Sequence, residues 1–415
     1  MGVRKAQLEG HLLVLLTLGL VAFGLVMVFS ATSAAATIGN GDPVTYLARQ
    51  AVYAGLGVAL LIGASRFDYR ALPALAAPLL LVSLALCLVV LVVGPAVNGA
   101  RRWITLGPAS LQPSELAKLA LALWAARYLA RRPPPQRLAE LARPIGLLAG
   151  LFCALILLEP DLGTVIVIVT MLAAMLLVAG TPARVLGSAG AIVFALGLVA
   201  VWLEPYRRAR MLSFLDPWQD PQGAGFQTVQ AMIGFGSGGL LGDGLGEGIA
   251  KVNYLPEAHT DMILAVIGEE LGLVGTTAVI VAYAAFAYAG LRIALAARDP
   301  FAKRLAAGLV AMICGQAAIN VAAVLGLAPL TGIPLPFVSY GGSSLVVALM
   351  SVGILLNIAE SHGARARGRS PVRDRGRGDG GTRASGARGR RGAAHARRGG
   401  DVRRVAGARR GAARP

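Results

Sequence analysis

The sequence predicts an all-α polytopic membrane protein of about ten transmembrane helices, with both termini cytoplasmic and a large extracytoplasmic loop between helices 7 and 8. Three observations predict it. The 415 residues are 56% hydrophobic and only 14% charged, with a mean hydropathy of +0.67, whereas a soluble domain carries about 25% charged residues. Too little charge is present to cover a surface in water, which excludes a soluble globular enzyme and a disordered chain. Second, apolar runs recur at close to the length a bilayer-spanning helix needs, about 20 residues. Third, Lys and Arg are sorted onto alternate connections between those runs.

The runs fall near 11–31, 47–64, 73–94, 114–130, 144–158, 162–180, 184–203, 262–291, 305–327 and 340–359. Arg4 and Lys5 precede the first, and Ser33-Ala34-Ala35 resembles a cleavage site. The run exceeds the apolar core of a signal peptide, about 7–15 residues, so it is expected to remain as the first helix. The fifth run is short, and only Glu159-Pro160-Asp161 separates it from the sixth. With the N-terminus inside, 30 Lys and Arg fall on the inner side and 7 on the outer. Lys118 and Arg127 lie within the fourth run. That asymmetry favours ten spans over nine.

The formal net charge of +18 divides unevenly. Residues 364–415 hold 17 Arg and 3 Asp, and the remaining body has 22 Lys and Arg against 18 Asp and Glu. Two units are expected: a membrane domain over 1–363, and a disordered, Arg/Gly/Ala-rich cytoplasmic tail over 364–415. Anionic lipid headgroups suit the tail; specific nucleic-acid binding is not expected. Cys87, Cys153 and Cys314 lie in apolar runs without ligand spacing, so neither disulfides nor zinc is expected.

Outer segments should carry the function. The largest runs from about 204 to 261, Gly-rich and too long for a bare linker. Within it, Gly234-Phe235-Gly236-Ser237-Gly238-Gly239 fits the dinucleotide pattern G-x-G-x-x-G, which means little without a strand before it and a helix after. The alternating glycines 242, 244, 246 and 248 suit either tight turns or a close approach of backbone to a pyrophosphate. Arg101 and Arg102, before Trp103, are either interfacial anchors or an anion clamp.

Charges inside the bilayer cost at least about 2.5–3.5 kcal/mol each. Glu115 and Lys118, at i and i+3 in the fourth run, are therefore either a structural ion pair or a counter-charge for a phosphate. Glu269 and Glu270 need interior partners or water for the same reason. Gln316 and Asn320, at i and i+4, suit interhelical hydrogen bonds. Asp161 suits a helix cap. The densest titratable cluster is Glu257-Ala258-His259-Thr260-Asp261. Asp261 either caps the eighth helix or, with Glu257 and His259 alternating along an extended segment, takes part in proton transfer. Ser339-Tyr340-Gly341-Gly342-Ser343-Ser344 brings hydroxyls to the outer start of the tenth run.

Several stretches together resemble the SEDS family of polytopic membrane proteins: Asn98-Gly99-Ala100-Arg101-Arg102-Trp103-Ile104, Gln112-Pro113-Ser114-Glu115-Leu116-Ala117-Lys118, Glu159-Pro160-Asp161-Leu162-Gly163-Thr164, Pro256 to Asp261, Gly268-Glu269-Glu270-Leu271-Gly272, and Pro334 to Ser344. The resemblance covers roughly 8–362. Within the family, the Glu257–Asp261 and Gly268–Gly272 stretches look more like the cell-division branch than the elongation branch. Met262 departs from the usual Phe, apolar for apolar.

The resemblance implies a peptidoglycan glycosyltransferase that polymerises lipid II on the outer face of the cytoplasmic membrane, at the division septum. Asp261 is then the catalytic carboxylate, acting as general base in an inverting transfer. Arg101, Arg102, Lys118, Glu115, Glu257, His259, Ser339, Tyr340 and Ser343 are the implied substrate-binding residues. A divalent cation, Mg or Mn, is optional. The implied partners are the nascent glycan strand, a class B penicillin-binding protein and other division proteins. The rival readings are a lipid II flippase and a non-catalytic division scaffold.

Overall fold

A computed structural model describes residues 2–37, 42–96, 99–107, 109–249 and 257–367. Helices dominate: α1 (Gly2–Thr37), α2 (Pro43–Arg66), α3 (Leu72–Val93), α4 (Pro113–Arg131), α5 (Leu138–Leu141), α6 (Leu147–Leu158), α7 (Leu162–Ala179), α8 (Ala183–Leu203), α9 (Pro205–Leu215), α10 (Phe226–Gly238), α11 (Ile263–Ala296), α12 (Pro300–Val324) and α13 (Gly342–Arg367). α5 runs through one wide turn into α6. A short antiparallel pair, β1 (Ile104–Leu106) and β2 (Ala109–Leu111), precedes α4.

Local chemistry sets the helix starts. Asp42 and Asp299 each cap a helix whose first residue is proline, accepting from Val44 N and Phe301 N. Gly180, at φ 95°, ends α7 in the left-handed conformation.

All ten apolar runs are helical. Among the described residues, nine helical segments are long and apolar enough to cross a membrane. The exception is α4, which carries Glu115, Lys118, Arg127 and Arg131 and is nonetheless buried along most of its length. Glu115 and Lys118 are buried in protein, while Arg131 at its end is exposed. α8 is the opposite case: apolar throughout, it buries only Val185 and Val201, as a helix facing lipid would.

Hydrogen bonds tie the segments at two ends. At one end, Gln50 at the start of α2 donates to Ser339 O before α13, Ser110 N donates to Tyr53, and Gln112 N to Ser343 Oγ. At the other, Asn357 of α13 accepts from Tyr69 N and donates to Ser65 O, and Arg292 of α11 meets Glu9 of α1 at 2.9 Å. α2, α4 and α13 therefore start at the same end, and α11 ends where α1 begins.

The 204–261 segment is not a bare loop, because α9 and α10 occupy much of it. Its glycine run packs against α11. Gly242 N donates to Gly238 O, Asp243 N to Glu269 O and Gly244 N to Glu270 O, while Ile249 N donates to the Glu269 carboxylate at 2.7 Å. The run seals a kink in α11 at Gly272 (φ 65°, ψ −160°). A side chain at Gly242 or Gly238 would collide with the α11 backbone, so these glycines serve close packing. Glu270 accepts from Ser30 of α1 at 2.7 Å, which gives this buried carboxylate an interior partner. Residues 368–415, and hence most of the expected tail, lie outside the described residues.

Candidate active site

Asp261 lies just before α11, and its surroundings decide between its two readings. The residue capping α11 is Met262, and no side chain bonds the helix start. Residues 257–262 form successive turns, with Thr260 N donating to Glu257 O and Glu257 itself at φ 56°. The segment is therefore not extended. Glu257 is exposed and Asp261 is buried. The Thr260 hydroxyl reaches Glu257 Oε2 at 3.0 Å and Asp261 Oδ1 at 3.3 Å. Burial pushes the Asp261 carboxyl up to about 6, against the pull of Arg210 and with a smaller push from Glu257. It is a carboxylate kept from capping and tuned near neutrality, which suits a base.

Arg210 comes from α9, one of the helices the sequence left as loop. Its guanidinium donates to Leu330 O at 3.3 Å and covers the Tyr206 ring at 4.8 Å. Between Arg210 and Asp261 stands Gly332, at φ +72°. A methyl group there would lie 3.8 Å from Arg210 Nη1 and 3.9 Å from Asp261 Oδ2. Gly332 thus borders both an acid and a cation, with room for a methyl group beside them.

The 325–341 segment forms the opposite wall. Tyr340 N donates to His259 O at 2.8 Å. The rings of Tyr46, His259 and Tyr340 make a three-way cluster with centroids 5.2–5.5 Å apart. Arg49 lies by the Tyr340 hydroxyl, whose pKa burial raises and Arg49 pulls back. Burial lowers the His259 pKa, with partial opposition from Glu257, so the imidazole is neutral at pH 7. Ser339 and Ser343 face inward: Ser339 Oγ accepts from Leu335 N and Ser343 Oγ from Gln112 N. Both hydroxyls hold the segment in place.

A polar spine connects this wall to α4. Lys118 Nζ lies 2.9 Å from Glu115 Oε1 and 2.6 Å from Gln316 Oε1. Gln316 Nε2 donates to Pro334 O at 2.9 Å, and one turn along α12 Asn320 Nδ2 donates to Ile333 O at 2.9 Å and Asp261 O at 2.7 Å. The i, i+4 spacing puts both amides on one face of α12, where they grip successive carbonyls. Lys118 is 2% exposed. Through Gln316 it orders the backbone at Pro334, next to the Ile333 carbonyl that Asn320 holds together with that of Asp261.

The two tandem arginines are occupied. Arg102 Nε donates to Glu159 O at 2.8 Å and its Nη2 to Pro160 O. Arg101 donates to Leu91 O and Val92 O at the end of α3. Both guanidinium groups brace backbone carbonyls here, which is closer to the anchoring reading than to the clamp. Asp161 caps α7 through Thr164 N at 3.0 Å and accepts from Gln112 Nε2 at 3.3 Å. Glu159 is fully buried with neither carboxyl oxygen hydrogen-bonded, and its pKa rises to about 8 through burial and Asp161, opposed by Arg102. Among the described residues, no group of three or more His, Cys, Asp and Glu side chains could hold a metal ion. The exposed Glu257 is linked to Asp261 through the Thr260 hydroxyl.

The structure thus gathers Asp261, His259 and Tyr340, links Glu115 and Lys118 to them at a remove, and leaves Arg101 and Arg102 bracing backbone. Arg210, Gly332, Asn320, Tyr46 and Arg49 escaped the sequence reading as site residues. The run Arg207-Arg208-x-Arg210 was the one available signal. Arg207 spends its donors on Leu157 O and Ala200 O, and only the fold shows that Arg210 faces Asp261.

Fold and site define a polytopic membrane protein with a buried carboxylate and a cation at one end of a helical bundle. Residues 11–363 match the cell cycle protein family of FtsW, RodA and SpoVE. The chain is 43% identical over 364 residues to a protein named probable peptidoglycan glycosyltransferase FtsW of Geobacter metallireducens, covering 86% of this chain and 96% of that one. It is 39% identical over 355 residues to stage V sporulation protein E of Bacillus subtilis, covering 84% and 96%. Among solved structures, it superposes at a TM-score of 0.69 and 34% identity on a chain described under structural coordination of polymerization and crosslinking by a peptidoglycan synthase complex, covering 84% and 97%. The rod shape determining protein RodA of Thermus thermophilus superposes at 0.63 with 32% identity, covering 84% and 96%. The chain belongs to the FtsW/RodA/SpoVE family.

Proposed function

We infer that this chain is a peptidoglycan glycosyltransferase of cell-wall synthesis, a multi-pass membrane enzyme, and that Asp261 is its general base. One observation carries the residue assignment: a buried carboxylate released from helix capping, tuned to about 6, and held beside Gly332, which also borders Arg210. The substrate is lipid II, a disaccharide-peptide on polyprenyl pyrophosphate. The acceptor GlcNAc 4-hydroxyl gives its proton to Asp261 as its oxygen bonds to C1 of the donor sugar. The bond from C1 to the pyrophosphate breaks, with inversion, and the pyrophosphate departs with the bonding electrons. That leaving group is already activated, so the paired carboxylates of a glycosidase are not needed.

Charge develops on the pyrophosphate as the bond breaks, and a fixed cation nearby lowers the barrier. Arg210 is the cation the geometry puts closest to this task, with Arg49 at the rim. Lys118 acts through the backbone it orders. The Asp261 end is the outer face, in keeping with the charge asymmetry. Septal placement, a class B penicillin-binding protein as partner, and contact of the 364–415 tail with anionic lipid complete the reading. Purified Asp261→Asn, shown to be folded, is expected to form no glycan strands from lipid II; undiminished polymerisation removes Asp261 from the mechanism.

A further inference from the structure

At the end of the bundle opposite Asp261 lies a second cavity, of about 340 Å³, lined by Ala77, Trp124, Arg127, Tyr128, Arg131 and Arg132. Four of these six come from the last two turns of α4, and Arg132 caps its end. Trp124, Arg127, Tyr128 and Arg131 stand at i, i+3, i+4 and i+7, one stripe of the helix. The stripe is pre-ordered: Arg127 Nη1 donates to Pro73 O at 2.7 Å, the Trp124 and Tyr128 rings stack at 5.4 Å, and Arg132 covers Tyr128 at 5.0 Å.

The charge in this cavity is uncompensated. Among the described residues, no carboxylate forms an ion pair with Arg127, Arg131 or Arg132. The nearby Glu140 is engaged with Gln136 N at 2.9 Å. Three guanidinium groups around one hollow outweigh the half-charge of the α4 C-terminus. Such a hollow calls for an anion, and planar arginine forks match phosphate oxygens in particular. The volume lies at the lower end of small-ligand sites, about 300–1,000 Å³.

The surroundings say which phosphate. Ala77 itself is exposed, and α3 beside it presents Leu75, Leu81 and Val82 outward, with Leu81 66% exposed. Leu81 is one turn from Ala77 on the same face. An apolar wall therefore continues from the cationic hollow toward the bilayer core, with stacked aromatics at the depth where Trp and Tyr mark the membrane interface. A ligand fitting both parts has a phosphate at one end and acyl chains at the other. We propose that the Arg127–Arg131–Arg132 cavity is a binding site for the headgroup of an anionic phospholipid in the leaflet opposite the active site. It is separate from the basic tail, and it stands whether or not Asp261 is the base.

The test uses the full chain in mild detergent and native mass spectrometry with added phosphatidylglycerol or phosphatidylcholine. Wild type should retain phosphatidylglycerol in clear preference to phosphatidylcholine. Arg131→Gln with Arg132→Gln should weaken phosphatidylglycerol retention by about tenfold, the loss expected for two charge-assisted contacts. Arg66→Gln with Arg184→Gln, which removes two exposed charges outside the cavity, should leave it unchanged. Ala77→Trp fills the hollow without touching its charge, and should also expel the lipid, which keeps the proposal testable if the arginine variant is unstable. Equal retention of the two lipids, an equal loss in the Arg66/Arg184 variant, or retention unaffected by Ala77→Trp would each overturn it. So would displacement of the lipid by inorganic phosphate, which would make the hollow a site for free anions.

Discussion

Replacing Lys118 by methionine should destabilise the protein far more than replacing Lys118 and Glu115 together. Lys118 Nζ sits 2.9 Å from Glu115 and 2.6 Å from Gln316, with both charged side chains no more than 5% exposed. Lys118→Met keeps the length of the side chain but leaves Glu115 buried without its counter-charge. Breaking a buried pair this way costs about 3–5 kcal/mol, whereas replacing both members costs little or nothing. Lys118→Met with Glu115→Gln should therefore recover most of the loss. Chemical denaturation in mixed micelles across the four-member mutant cycle would read a coupling of at least about 2 kcal/mol. Because Gln316 also loses a partner, the double variant should still show slackening of the 333–334 strap, seen as faster hydrogen exchange there. Equal costs for single and double variants would refute the view that Lys118 works as a buried structural counter-ion.

Other expectations concern the site itself. Glycan polymerisation should fall as pH drops through about 6, the pKa of Asp261, and Arg210→Gln should shift that limb upward, since Arg210 holds the carboxyl down; an unshifted pH–rate profile would detach Arg210 from Asp261. The Asp261 carboxyl is raised from 3.8 to about 6, so the fold prefers it protonated, and that share of stability is lost as pH rises from about 4 through 6. Asp261→Asn should accordingly gain up to about 3 kcal/mol over wild type at pH 8 and almost nothing at pH 4, measured by denaturation at both. Gly332→Ala meets no clash but forces φ +72° on a residue with a Cβ; a stability cost of about 1–3 kcal/mol and a loss in kcat/KM are expected, and full activity would show that the space beside Arg210 and Asp261 needs no clearance. Glu159→Gln should be neutral near pH 4 and gain stability over wild type as pH rises from about 4.5 to 8, because the unfolded chain ionises Glu159 through that window while the fold, with its pKa at about 8, keeps it protonated; denaturation at pH 4 and pH 8 decides it.

Much of the bundle was legible because the solvent for most of its surface is lipid. Each spanning segment must be apolar along its length, so ten runs in the sequence became ten helical segments. The weakest agreement was α4, where Glu115 and Lys118 hide in protein, a choice that hydropathy cannot register. Asp161 as a cap was likewise readable from Glu159-Pro160-Asp161, since the cap is local. Asp261 stood out as part of a dense titratable cluster, yet its release from capping depends on Met262 taking the cap position. Arg210 and Gly332 were not legible, because α9 and the 325–341 segment converge on Asp261 only through tertiary packing. For glycines 242, 244, 246 and 248 the sequence left tight turns and a close backbone approach both open; three of them turn with positive φ, and the partner that tertiary packing supplies is the α11 kink with Glu269 and Glu270.

The most direct test of the account is polymerisation of lipid II by purified wild type, Asp261→Asn and Arg210→Gln, each shown to be folded, across pH 5 to 8. The account predicts no strand formation by Asp261→Asn at any pH, and a reduced rate with an upshifted acidic limb for Arg210→Gln. Strand formation by Asp261→Asn at the wild-type rate would contradict it.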